Sequence, residues 1–256
     1  MNLSEGPGLT AIQCSTESAM SDLPAAVTAR AYTDVVPPLD FLHHRHDHNE
    51  RVVECRDTVR MVTGIGARAL GRAHVVGIGG STRSESSTER VLAAVLQRVE
   101  ERGATTTLLA GADIELPIYA PERLGRSPAA QRLVAEVERA DGIVIASPGY
   151  HGGISGMVKN ALDYLEDLRA APRPYLDGRA VGLIACADGP QATTTTLMAL
   201  RAVVHALRGW PTPLGIAMQT KERGVALDGT VESPELAARI DAMADQVLSL
   251  VPVAAR

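Results

Sequence analysis

From His74 onward the chain alternates between short continuous apolar runs and longer runs with apolar residues at helical spacing. His74–Ile78, Thr105–Leu109, Gly142–Ser147 (GIVIAS), Ala180–Ala187 (AVGLIACA) and Leu214–Gln219 read as strands, two of them apolar throughout as in a sheet covered on both faces. Between them, Val91, Leu92, Val95, Leu96 and Val99 predict one helix, closed by Gly103. A second helix opens at Ser127-Pro128, a cap followed by a proline suited to the first turn. A third is expected from Ser155 to about Leu168, and a fourth from about Thr193 to Leu207, ended by Gly209. The last starts at Ser233-Pro234-Glu235 and sets Leu236, Ile240, Met243, Val247 and Leu248 on one face.

Strands alternating with helices predict an α/β fold: a doubly wound, five-stranded parallel sheet with helices on both faces, because parallel neighbours need crossover connections. Ligands in such sheets sit beyond the C-terminal strand ends, so the loops near Gly79, Ser147 and Ala187 are the ones to inspect. Residues 1–72 show no such alternation. They hold Pro7, Pro24, Pro37, Pro38 and the cluster His43-His44-Arg45-His46-Asp47-His48, and are expected to form a poorly ordered extension ahead of a domain over residues 73–252. Met61, about 13 residues before the first strand, is the expected start of translation, since domain ends carry such slack. The histidine cluster lacks a second ligand group at a structural spacing, so no physiological metal site is expected.

Composition narrows the function. With 45% hydrophobic residues in 256, wholesale disorder is excluded. No apolar run approaches the ~18–20 residues that cross a bilayer, and Met1–Gly8 lacks the pattern of a secretory signal, so no membrane partner is expected. A net charge of −5 argues against nucleic acid. Cys14, Cys55 and Cys186 form no CxxC pair, so a cytoplasmic, reducing compartment is expected.

Three loops carry candidate chemistry. The first, Gly79 to Thr88, places six hydroxyl residues and Arg83 at the start of a helix. Helix N-termini receive anions, and hydroxyls and a guanidinium bond phosphate oxygens, so a terminal phosphate monoester suits this cradle. It is neither a Walker A loop, having no lysine, nor a GxGxxG fingerprint, because Thr82 stands at the last glycine. The second, Ser147 to Gly156, has four glycines and a proline that let backbone amides approach a flat ligand. Tyr150 and His151 there suit wall or contact roles better than acid–base roles. Behind it, Lys159, Asn160 and Asp163 are open between solvent-facing or local polar roles and ligand contact. The third loop, Ala187 to Gln191, is a turn before a helix. Cys186 reads as a small core residue. Together the loops suit a mononucleotide with a planar ring.

These residues resemble the NAD(P)H-dependent FMN reductases of the flavodoxin-like fold. The family's phosphate motif GSxRxxS is similar to Gly80-Ser81-Thr82-Arg83-Ser84-Glu85-Ser86, and its SPxYxGxxxGxxKNALDxL signature resembles Ser147 through Leu165. The resemblance covers about residues 74–250. It implies that Ser81, Arg83, Ser86, Ser87 and Thr88 hold the FMN phosphate, that Pro148, Gly149, Tyr150, His151 and Gly152 line the ring, and that Asp188 and Gly189 touch its other side. Relatives often carry Glu and Asn where this chain has Gly149 and His151, and Pro190 replaces a glycine of the third loop.

The implied activity is hydride transfer from NADPH or NADH to FMN and on to free flavin, a quinone or another small acceptor, with no catalytic side chain because the flavin carries the chemistry. Implied partners are a small-molecule acceptor, a flavin-dependent monooxygenase, and further copies of the chain in a homodimer or homotetramer. The alternatives are a bound-FMN dehydrogenase of one pathway metabolite and a non-enzymatic electron carrier. A signalling receiver domain fails, because Gly79-Gly80 and Ser147-Pro148 stand where its carboxylates belong.

Overall fold

The computed structural model describes residues 73–251 apart from residues 84, 124 and 223. The expected extension over 1–72, with its histidine cluster and the expected start at Met61, lies outside the described residues.

Strands β1 (His74–Gly79), β2 (Thr105–Ala110), β3 (Gly142–Tyr150), β5 (Ala180–Ala187) and β6 (Trp210–Gln219) form a parallel sheet in the order β2-β1-β3-β5-β6. A sixth strand, β4 (Gly153–Ile154), pairs antiparallel with the end of β3. With β4 set aside, this is the 2-1-3-4-5 order of flavodoxin-like sheets.

The sixth strand corrects the expected count of five. β3 does not end at Ser147 but stays extended through Tyr150, then turns at His151-Gly152, both at positive φ (51° and 79°). Positive φ at both central residues is what a two-residue hairpin turn demands. A run of glycines has no alternation of apolar and polar residues, so this hairpin reads as a loop in sequence.

Helices α1 (Ser87–Glu101) and α5 (Pro234–Leu248) cover one face. Helices α2 (Pro128–Arg139), α3 (Gly156–Asp163) and α4 (Pro190–Ala206) cover the other. Strand residues divide between the two cores by parity: Val144 and Ala146 face α1 and α5, while Ile143 and Ile145 face α2 and α3. Ser86, Ser127, Ser155 and Ser233 each accept a backbone N–H of the first helical turn, which fixes where four helices begin.

Three boundaries differ from expectation. The third helix stops at Asp163 and tightens into a 3-10 turn over Tyr164–Leu168. α4 begins at Pro190, where a missing N–H costs nothing at a first helical position. β6 begins at Trp210, and its register slips beside Val181 and Leu183 where Pro211 and Pro213 interrupt it. Prolines are tolerated there because β6 is an edge strand.

Below the sheet, Arg179 is fully buried. Its guanidinium donates to the carbonyls of Ala140 (2.9 Å), Tyr175 (3.0 Å) and Glu138 (2.8 Å), which include the last turn of α2. The opposite end of the sheet carries the site.

Candidate functional site

β1 delivers the chain to the first loop through a glycine that nothing can replace. Gly79 has φ +146°, and a Cβ there would lie 1.9 Å from the carbonyl oxygen of Ala146. The Gly80 N–H donates to that same oxygen (3.2 Å), which pins the loop over the β1–β3 seam. The chain then turns and enters α1. The Ser81 hydroxyl accepts the Arg83 N–H (3.2 Å), and the Ser86 hydroxyl accepts the Glu89 N–H at a long 3.4 Å. Ser81, Ser86 and Thr88 are nearly enclosed, whereas Arg83 is exposed. Among the described residues, the Arg83 guanidinium has no hydrogen-bond or ion-pair partner.

The second wall is the β3–β4 hairpin. Ser147 is buried, and its hydroxyl donates to the Pro148 carbonyl (2.9 Å) while accepting the Ser155 N–H (3.0 Å), which ties the two ends of the hairpin together. Gly149 lies so close to α4 that a Cβ would meet Thr196 Oγ1 at 2.6 Å and Ala187 Cβ at 3.0 Å. Thr196 donates to the Gly153 carbonyl (3.2 Å), fixing the hairpin against the helix. Tyr150 is 46% exposed, so its ring is available on the rim.

The third wall is the end of β5 with the start of α4. The Thr220 hydroxyl donates to the Asp188 carboxylate, and the Thr220 N–H donates to the Ala187 carbonyl (2.9 Å). Beneath it Cys186 is 1% exposed, and burial pushes its thiol up to about 11 against the opposing pull of the Thr88 hydroxyl. It is a neutral thiol at physiological pH and no nucleophile.

These walls enclose a cleft of about 340 Å³, within the ~300–1,000 Å³ range of small-ligand sites. Ser81, Arg83, Ser86, Ser87 and Thr88 line one side, Pro148, Gly149 and Tyr150 the second, and Asp188 and Gly189 the third. His151 and Gly152 are not brought into the lining; they form the tip of the hairpin. Glu85, Cys186, Ala187, Ala192 and Thr220 also line the cleft and were not among the expected residues. Thr220 directly follows β6, so the rule that sites gather at C-terminal strand ends is the signal that points to it.

The second half of the long signature holds structure. Lys159 pairs with Asp163 one turn away (2.5 Å). Asn160 accepts the Tyr119 N–H (2.8 Å) and donates to the carbonyls of Leu116 (3.1 Å) and Pro117 (3.0 Å), so one amide clamps a whole segment after β2. The Tyr164 hydroxyl adds a bond to the Pro117 carbonyl (3.0 Å), and Arg126 closes the corner with a two-point pair to Asp167 (2.7 and 2.8 Å). Among the described residues no group of His, Cys, Asp and Glu could hold a metal ion, and no helix is long and apolar enough to cross a membrane.

The model of the NADPH-dependent FMN reductase family matches residues 73–222, more than half of the chain. An FMN-dependent NADPH-azoreductase of Staphylococcus saprophyticus is 34% identical over 125 residues, 47% of this chain and 62% of that protein. An NADPH azoreductase of Bacillus sp. (strain OY1-2) is 36% identical over 89 residues, 34% of this chain and 47% of that protein. The chain thus spans less than two thirds of the length of these curated relatives. Among solved structures, the flavoenzyme NAD(P)H:(acceptor) oxidoreductase FerB of Paracoccus denitrificans superposes with a TM-score of 0.57 at 24% identity, over 68% of this chain and 97% of that one. The apo form of the NADH:FMN oxidoreductase EMOB superposes with a TM-score of 0.55 at 19% identity, over 72% of this chain and 91% of that one. The two structures share the fold. On the family match, with the strand order and loops that accompany it, this chain belongs to the NADPH-dependent FMN reductase family.

Proposed function

We propose that this chain is an FMN-dependent NAD(P)H oxidoreductase that passes electrons to a small acceptor. The observation that carries the proposal is the convergence of Ser81, Arg83, Ser86, Ser87 and Thr88 at the N-terminus of α1, on one cleft with a glycine-built wall opposite. The residues fit FMN on their own terms. The helix end offers unpaired N–H groups to an anion, the hydroxyls of Ser81, Ser86 and Thr88 are nearly enclosed, and the Arg83 guanidinium beside them has no partner among the described residues. Opposite them, Gly149 has no room even for a methyl group, so a ring there meets backbone.

In this reading Ser81, Ser86, Ser87, Thr88 and Arg83 hold the phosphate, Pro148, Gly149 and Tyr150 bound the ring on one side, and Asp188 and Gly189 bound it on the other. The chemistry supplied by bound FMN is two-electron transfer between a reduced nicotinamide and an acceptor. The protein orients and shields. Ser147 and Thr196 hold the hairpin in place, Thr220 holds Asp188 in place, and Tyr150 stands at the open rim where nicotinamide and acceptor enter in turn. The azoreductase relatives make an azo dye a reasonable acceptor beside free flavin and quinones. Assembly as a homodimer or homotetramer and service to a flavin-dependent monooxygenase belong to the same proposal and rest on family membership. A cytoplasmic location belongs to the same proposal and rests on family membership.

The test is to purify the protein, record its visible flavin absorbance, and follow NADPH and NADH oxidation with free FMN, a quinone and an azo dye. The proposal expects flavin-dependent consumption of at least one nicotinamide. Flavin binding without nicotinamide oxidation identifies an electron carrier or a metabolite dehydrogenase instead, and absence of flavin binding overturns the site assignment.

A further inference from the structure

One residue beside the cleft breaks a local rule. Arg90 lies in the opening turn of α1, where a cation opposes the positive end of the helix dipole. It does not line the cleft, and among the described residues it pairs with no carboxylate. Its guanidinium instead bridges two backbone carbonyls: Nη1 donates to Glu85 and Nε to Val225 at 2.6 Å.

The two acceptors differ in kind. Val225 is 4% exposed and belongs to the core shared by α1 and α5. Its segment is braced by the Val225–Val231 bridge, by Ala226 N–H to the Thr230 carbonyl (2.8 Å) and by Glu232 N–H to the Gly224 carbonyl (2.9 Å). It is a fixed anchor. Glu85 is exposed and sits at φ +62°, a conformation that a non-glycine residue holds only when its surroundings impose it. Glu85 immediately precedes Ser86, so its backbone angle sets the direction in which Ser86, Ser87 and Thr88 face the cleft.

We propose that Arg90 is a positioning residue: by tying the Glu85 carbonyl to the rigid Val225 anchor it holds the phosphate loop in its left-handed turn and so pre-shapes the anion cradle. The inference rests on the FMN reading of the cleft. It gives Arg90 no contact with ligand, so its effect is confined to the part of the ligand that the loop grips.

Riboflavin, which is FMN without the phosphate, separates that effect from general damage. Dissociation constants for FMN and riboflavin are measured by flavin fluorescence for wild type, Arg90→Met and Arg90→Lys, each beside its melting temperature. Both variants are expected to weaken FMN about tenfold, the scale of one released backbone strain, and to leave riboflavin within about twofold. Lysine keeps the charge but puts its donors on one nitrogen and lacks the planar guanidinium that reaches both carbonyls from Nε and Nη1, so it separates geometry from electrostatics and guards against a methionine variant that fails to fold. In a Glu85→Gly background, where the turn costs nothing, replacing Arg90 is expected to weaken FMN by only about twofold. Equal losses for FMN and riboflavin, unchanged FMN affinity, or an undiminished loss in the Glu85→Gly background overturns the role of Arg90. A wild type that binds FMN no better than riboflavin overturns the underlying FMN reading instead, and the two failures are told apart by the wild-type ratio alone.

Discussion

Strand β5 has a guanidinium at one end and the cleft at the other, and the two ends treat unpaired polar groups in opposite ways. At the lower end Arg179 and Arg173 converge on the Ala140 carbonyl, and between them they also cover the carbonyls of Glu138, Tyr175, Asp177 and Gly178. Burial pulls the Arg179 guanidinium down to about 10, so it is still charged at neutral pH and lies against the negative end of α2. At the upper end the N-terminus of α1 is capped by one long bond that the Ser86 hydroxyl accepts from the Glu89 N–H, and the Arg83 guanidinium has no partner among the described residues. The lower end completes its own hydrogen bonds; the upper end leaves donors open among the described residues. Stability is therefore expected to concentrate below the sheet and binding above it.

The largest effect is expected at the closed end. Arg179→Met removes three hydrogen bonds from a fully buried guanidinium at about 1 kcal/mol or more each, leaving the Ala140 carbonyl to Arg173, so urea unfolding should show a loss of about 3 kcal/mol or more while the folded fraction keeps its preference for FMN over riboflavin. A loss of that preference would mean that the two ends are not independent.

Cys186, at the cleft end of β5, makes stability depend on pH. Its thiol is raised from 9.0 to about 11 on folding, so between those values the unfolded chain releases a proton that the folded chain keeps. The stability this provides is whole below pH 9 and lost as pH rises towards 11, about 2–3 kcal/mol for a shift of that size. Urea midpoints compared at pH 8 and pH 10.5 should show that decline in wild type and its absence in Cys186→Ala.

A smaller effect belongs to Asn160, whose side chain sits between the two regimes: it is near the cleft in sequence but satisfies only protein groups. Asn160→Ala should cost about 1–2 kcal/mol of stability, since the groups it serves are partly exposed, with flavin affinity unchanged once the protein is folded. Reduced FMN affinity in folded Asn160→Ala would move that residue into the site.

The same contrast explains what could be read from sequence. The central strands and helix starts were legible, because continuous apolar runs such as GIVIAS and capping serines such as Ser127 and Ser233 are local signals. The first half of β6 was hidden by Pro211 and Pro213, which are compatible only with the edge position the finished sheet provides. The first loop could be singled out as a candidate anion cradle because its hydroxyls and Arg83 follow a strand directly, and the structure brings them to one cleft. What holds that loop was not: Arg90 meets Val225 across 135 residues, and Asn160 meets Tyr119 across 41, contacts that no spacing announces.

The open end is tested most directly by the ratio of riboflavin to FMN dissociation constants in wild type and in Arg83→Ala. The Arg83 guanidinium is exposed and unpartnered among the described residues, so its removal should leave the unfolding free energy within about 0.5 kcal/mol of wild type. A charge-assisted bond to phosphate is worth about 1.5–3 kcal/mol, so FMN affinity should fall about 10- to 100-fold while riboflavin affinity holds, collapsing the ratio. A ratio near one in wild type, or a high ratio that survives Arg83→Ala, would contradict the account.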